Sequence, residues 1–125
     1  MGVKTKEMKR IHLYRGKRLD ADQLVEGSLI GEDVIVGKIV DFEEDYFTTE
    51  FWYKVNQETV GQFTGRYDKN DKEIFERDIV VNKNIHGKKW IVEYRTDSEY
   101  VGFVLKEIGT NGISLFTSWN DIEVI

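Results

Sequence analysis

An all-β fold is what this sequence predicts, and three observations carry the prediction. Val (13), Ile (12), Thr (8) and the 16 aromatic residues fill 49 of 125 positions, against one Ala, six Leu and two Met. Side chains branched at Cβ or built on a ring lose rotamer freedom in helices and pack well on a pleated surface, so this ratio favours strands. The apolar residues also come in short runs bounded by Gly, Asp and Asn, not at helical spacing over ten or more positions. Finally, Asn111-Gly112 separates two apolar segments, and these residue types tolerate the positive φ that a type I′ hairpin turn needs. Many short strands with tight turns make a small barrel or sandwich with little helix.

In chain order, strands are expected at Ile11–Tyr14, Leu24–Ile30, Val34–Val40, Tyr46–Val55, Ile79–Asn82, Lys89–Arg95, Val101–Ile108, Ile113–Phe116 and Ile122–Ile125. Within the fourth, Phe47, Thr49, Phe51, Tyr53 and Val55 alternate with polar Thr48, Glu50 and Lys54, which predicts one wet face with Trp52 as its apolar exception. Val101, Phe103 and Leu105 return against Ile113 and Leu115 through the Asn111-Gly112 turn. Only Asp20–Leu24 and Ser118–Asp121 have room for a single helical turn.

Length argues for one β domain over residues 1–125, with residues 1–10 as a flexible basic arm and an internal seam near 56–72. Cysteine is absent, which excludes disulfides, thiolate zinc sites and cysteine nucleophiles, and only two histidines, His12 and His86, are present. No metal or other cofactor is expected. No apolar run approaches the roughly 18 residues of a membrane span, and the polar, basic start is followed by no apolar signal core, so the expectation is a cytoplasmic protein without a membrane role.

Charge is unevenly distributed. Residues 1–18 hold Lys4, Lys6, Lys9, Arg10, Arg15, Lys17 and Arg18 against the single acid Glu7, a net of +6, while the other 107 residues carry 11 basic and 22 acidic groups, a net of −11. Such an arm suits phosphate contact by counterion release or docking on an acidic surface, and the pI near 5.1 favours the second. The acidic run Asp41, Glu43, Glu44 and Asp45 lacks fixed ligand spacing and reads as a solvated loop. Asp68-Lys69-Asn70-Asp71 begins like a calcium loop, but counting from Asp68 puts Glu73 where the sharp turn needs Gly and Ile79 where the bidentate Glu belongs, so it reads as a turn. There is no G-x-S-x-G elbow, P-loop or dinucleotide fingerprint.

The most specific text is Glu58-Thr59-Val60-Gly61-Gln62-Phe63-Thr64-Gly65, followed by Asp68-Lys69-Asn70-Asp71-Lys72-Glu73-Ile74-Phe75-Glu76-Arg77-Asp78-Ile79-Val80. With Tyr14-Arg15-Gly16-Lys17, Leu19-Asp20 and Gly27-Ser28-Leu29, it resembles the YopX family of phage and prophage proteins, from about Ile11 to the C-terminus. The resemblance implies an SH3-like barrel type of β fold and a phage-encoded, cytoplasmic protein, and it implies no activity. The family usually reads Gly where this chain has Asp71 and Arg77. Read from its residues, the block is architectural: Phe63 anchors between Gly61 and Gly65, Asp68 and Asn70 bond nearby amides in a turn, and Asp78 leads a strand. Gln62, Thr64 and Arg66 would sit on a rigid corner.

The function placed first is a non-catalytic binding or assembly module, contacting a host protein or further copies of itself through exposed aromatics such as Trp52 or Tyr100. The alternative is a nucleic-acid-binding module using Lys9, Arg10, Arg15, Lys17 and Arg18 beside Tyr14. A carboxylate-based enzyme stands third, and no catalytic residue is nominated.

Overall fold

A computed structural model describes residues 13–82, 85–97, 99–115 and 121–125. Among them are thirteen strands and one 3₁₀ turn, and the strand pairs with an assigned register are antiparallel. The all-β class therefore holds. The barrel expectation does not hold in closed form: among the described residues the strands make open sheets, with no closed barrel. The chain packs as two compact units, one ending at Phe63 and one starting at Thr64.

In the first unit, β1 (Tyr14–Lys17), β2 (Leu24–Ile30), β3 (Val34–Val36) and β6 (Trp52–Lys54) lie side by side in the order β6-β3-β2-β1. The start of β7 (Gly61–Tyr67) adds to β1 through Tyr14↔Gln62 and Arg15↔Gly61. Val25, Ile35 and Val55 form the buried core, with Tyr14, Leu29, Tyr53 and Val60 packed against it. The 3₁₀ turn Gln57–Thr59 is capped by Asn56, whose Oδ1 accepts the Glu58 N–H at 3.0 Å. Thr59 Oγ1 in turn accepts the Lys17 N–H at 2.9 Å.

Two long expected strands are each cut in two. Val34–Val40 becomes β3 and β4 (Ile39–Phe42), and Tyr46–Val55 becomes β5 (Phe47–Thr49) and β6. The cut falls at Gly37, where a Cβ would sit 2.7 Å from the Phe51 ring and 2.8 Å from Glu50 Cγ, so the chain passes at a distance only glycine allows. Gly37 N–H donates to Phe51 O and Glu50 N–H to Lys38 O, which keeps the two strand pairs in one hairpin, residues 34–54. Its base belongs to the sheet, whereas β4 and β5 pair only with each other. The expected alternation holds from Thr49 to Val55 but not at Phe47: Thr49, Phe51 and Tyr53 are half-buried and Val55 buried, while Thr48, Glu50, Trp52 and Lys54 are exposed, and so is Phe47.

The first strand also differs from expectation. It runs over 14–17, not 11–14, and Ile11 and His12 lie outside the described residues. No helix forms at Asp20–Leu24: Arg18 grips both Asp20 oxygens, at 2.8 and 2.9 Å, its N–H donates to Gln23 O, and Leu24 already opens β2. The second helical candidate falls largely on residues 118–120, outside the described ones.

In the second unit, β9 (Ile79–Asn82), β10 (Ile85–Thr96), β11 (Val101–Glu107), β12 (Ile113–Leu115) and β13 (Ile122–Val124) form a sheet ordered β12-β11-β10-β9-β13. Ile74, Val80, Trp90, Val92, Leu105 and Ile122 make its buried core. β8 (Glu73–Phe75) pairs with the later part of β7, and Thr64 Oγ1 donates to Ile74 O at 2.7 Å. Neither strand was expected, because glycines inside β7 and a polar turn after it look like loop. β10 starts four residues earlier than expected, with a register shift between Ile85 and Trp90 around Gly87.

The β11–β12 hairpin forms as expected, with Val104↔Leu115 and Lys106↔Ile113, but its turn does not. Neither Asn111 nor Gly112 has positive φ; the left-handed residue is Gly109, at φ 94°. Five residues, 108–112, connect the strands, closed by Glu107 N–H donating to Gly112 O at 2.8 Å. A bond between these positions suits a longer loop, so the Asn-Gly pair lies after the bend, not at it.

Candidate functional site

The distal half of the 34–54 hairpin concentrates what a protein ordinarily hides. Every residue from 38 to 48 is exposed. Five of them are large and apolar or aromatic: Ile39 at 53%, Val40 at 63%, Phe42 at 71%, Tyr46 at 63% and Phe47 at 48%. Phe42 and Phe47 face each other across the ribbon and stack with ring centroids 6.2 Å apart. A two-stranded ribbon alone is at best marginally stable in water, so this half gains from being covered. The tip adds Asp41, Glu43, Glu44 and Asp45, all exposed, with the turn closed by Glu43 N–H donating to Tyr46 O at 2.8 Å.

Near the hairpin base, Leu19, Asp20, Trp52, Tyr53 and Lys54 line an open hollow of about 400 Å³. Trp52, the apolar exception of the wet face, is 66% exposed. The Arg18 guanidinium lies 3.8 Å from the Tyr53 ring centroid and is forked onto Asp20. Donating to the Asp20 carboxylate raises the Arg18 pKa, and the same bond holds the Asp20 carboxyl below its ordinary value.

Of the residues nominated for nucleic acid, Tyr14, Arg15, Lys17 and Arg18 are among the described ones. Lys17 pairs with Asp22 at 2.7 Å, and this contact lowers the Asp22 carboxyl; Arg18 is committed to Asp20 and Tyr53. Tyr14 packs on the core and Arg15 is half-buried in β1. Lys9 and Arg10 lie outside the described residues. Among the described residues, no three His, Asp or Glu side chains are grouped to hold a metal ion.

The central block supplies structure at each described position. Gly61 and Phe63 are buried, Gln62 and Thr64 half-buried, and Gly65 sits at φ 83°. Asp68 is 6% exposed: its Oδ1 accepts the N–H of Asn70 and Lys72 at 2.8 and 2.9 Å, and its Oδ2 accepts that of Val124 at 3.0 Å. Burial alone would raise the Asp68 carboxyl, but these backbone donors, with the Lys72 charge, outweigh it and leave the pKa below the ordinary value. Asn70 reaches Glu123 Oε2 at 3.4 Å, and buried Asp78 accepts the Phe75 N–H at 2.9 Å. Asp71 and Arg77 are the non-glycine residues with positive φ among those described, at 63° and 81°.

The exposed ribbon was visible in sequence as strand and acidic loop, but not as a site. Its residues Ile39, Val40 and Phe47 read as strand and Phe42 as part of the acidic loop, and in the structure all four are exposed beyond the break at Gly37.

The family model of the YopX protein matches residues 13–125. The chain belongs to the YopX family. No curated protein and no solved structure matches it. The match spans both units of the chain, so the ribbon and the Asp68 turn both lie within the family's extent.

Proposed function

We propose that this YopX family member is a non-catalytic binding and assembly module that works through the distal half of its 34–54 hairpin, as a phage-encoded accessory protein in the bacterial cytoplasm. One observation carries the reading: five large apolar or aromatic side chains on one short ribbon stand in solvent, next to a core that buries Val25, Ile35 and Val55. Contiguous apolar surface of this kind marks contact surfaces more often than idle ones. The family resemblance supports the phage setting, and no described helix is long and apolar enough to cross a membrane. The nucleic-acid alternative draws less support, because the Lys17 and Arg18 charges already have carboxylate partners.

The test is a photo-crosslinking amino acid at position 42, with the same probe at exposed Tyr94 in the other unit as control. Discrete protein adducts from position 42, well above those from 94, are expected in cells. Equal yields from both positions would end the proposal.

A further inference from the structure

We infer that the ribbon's partner is a cationic, extended segment of another protein, which adds to the open edge of β5 as a third strand and lays alternate apolar side chains over the Phe42–Phe47 face. This rests on the binding reading above and names the chemistry of its occupant.

The register separates the ribbon's two faces. Residues directly opposed across an antiparallel pair point to the same side, and side chains two apart along a strand share that side. Phe42 opposes Phe47 and Ile39 opposes Thr49, so these four make one face, with the stacked rings towards the tip. Asp41 opposes Thr48 on the other face. The apolar face thus offers three large exposed side chains, Ile39, Phe42 and Phe47, too few for a broad protein–protein contact and suited to a single added strand.

The backbone decides which edge is open. β4 and β5 pair only with each other. Glu43 N–H donates to Tyr46 O across the turn, so the next pair, Phe42 and Phe47, directs its backbone groups away from the ribbon. On β4, Asp41 Oδ1 accepts the Phe42 N–H at 3.0 Å, and a register shift between Ile39 and Asp41 disturbs that edge. On β5, the Phe47 N–H and C=O have no partner among the described residues, and Tyr46, Phe47 and Thr48 are all exposed.

Charge sets the sign of the partner. Residues 38–50 carry Lys38 against Asp41, Glu43, Glu44, Asp45 and Glu50, a net of −4, and all six side chains are exposed. Among the described residues, no Lys or Arg forms an ion pair with Asp41, Glu43, Glu44 or Asp45. A second ribbon or a nucleic acid would bring like charge to this site, whereas a strand carrying Lys or Arg between its apolar residues relieves the repulsion. The attraction is screened by salt.

The experiment selects binders of the immobilised full chain from yeast-displayed random linear peptides. Enriched peptides should be net positive, with apolar residues at alternate positions. They should bind roughly tenfold more weakly to the Phe42→Ser/Phe47→Ser chain and to the Glu43→Lys/Glu44→Lys chain, each with unchanged far-UV circular dichroism, and several-fold more weakly in high salt. In synthetic copies, methylating one alternate set of backbone nitrogens should abolish binding and methylating the other should spare it, the signature of strand addition. The unmethylated peptide should slow hydrogen exchange at the Phe47 amide. No enrichment, enrichment of neutral or acidic peptides, binding indifferent to the Phe or Glu substitutions or to both methylation sets, or unchanged exchange at Phe47 would each overturn the inference. If it is overturned while position 42 still gives discrete adducts in cells, the partner's chemistry is wrong and the binding reading stands. If position 42 gives no more adducts than position 94, both fail.

Discussion

Replacing Arg77 by glycine should stabilise this protein, although the change deletes a whole side chain. Arg77 sits at φ 81°, in the left-handed region, with its N–H donating to Val92 O at 2.8 Å. A side chain with a Cβ costs roughly 1–2 kcal/mol in that conformation. Glycine removes this cost but brings about 0.5–1 kcal/mol of extra unfolded-chain entropy. Arg77→Ala provides the reference, because it removes the exposed side chain and its contacts while keeping the Cβ. Arg77→Gly should therefore exceed Arg77→Ala by about 0.5–1 kcal/mol, a rise of roughly 2–5 °C in Tm for a chain of this size. The backbone bond to Val92 survives both changes. Thermal melts followed by circular dichroism, with urea midpoints at constant m, read the difference. A glycine variant no more stable than the alanine one would refute the strain argument, since the strain at the Cβ must then be no larger than the extra unfolded-chain entropy of glycine.

Asp71→Gly, at φ 63°, should gain less, about 0.5 kcal/mol, because Asp tolerates this region better than Arg; a loss of stability in urea would contradict that. Asp68→Asn should cost about 1–3 kcal/mol, since an amide NH₂ must replace an oxygen that accepts backbone N–H groups. The folded-state pKa of Asp68 is depressed, so its contribution is complete above the unfolded carboxylate value and is lost as pH falls through the folded one. Urea midpoints taken from pH 6 down to 2 should fall less steeply in the Asn variant, and parallel curves would remove Asp68 as a source of the acid loss. Gly109→Ala should destabilise by about 1 kcal/mol while Asn111→Ala stays near neutral; the reverse order would restore the Asn-Gly turn. Leu105→Ala, fully buried, should cost about 2–5 kcal/mol by denaturant titration.

The β class was legible because it is compositional, and β2 and β9 were legible to the residue because polar or turn residues bound each one. Burial alternation from Thr49 to Val55 was legible because a pleat imposes period two even where the hydrogen-bond ladder is interrupted. Several of the failures come from misreading glycine. Gly61 and Gly65 lie inside β7 rather than at its ends, and Gly112 lies beyond the bend that Gly109 makes. Gly37, read as strand interior, is the actual break. A glycine's spacing to its neighbours in space, unlike its identity, is not written locally. For the same reason the ribbon could not be recognised as a surface: Phe42 and Ile35 are both apolar strand residues, and only tertiary packing makes one 71% exposed and the other wholly buried. Asp71 and Arg77, where the resemblance led to the expectation of Gly, both have positive φ.

The tie between Asp68 and Val124 has a consequence for how the chain is made. In the first unit, β1 to β6 are complete once residue 54 has been synthesised, so their pairings can form while translation continues. The second cannot close in that way: the Asp68 carboxylate accepts the N–H of Val124, 56 residues downstream. Until the ribosome delivers it, the outer side of β9 stays open, and that interval is when a nascent chain is most exposed to mispairing or to a chaperone.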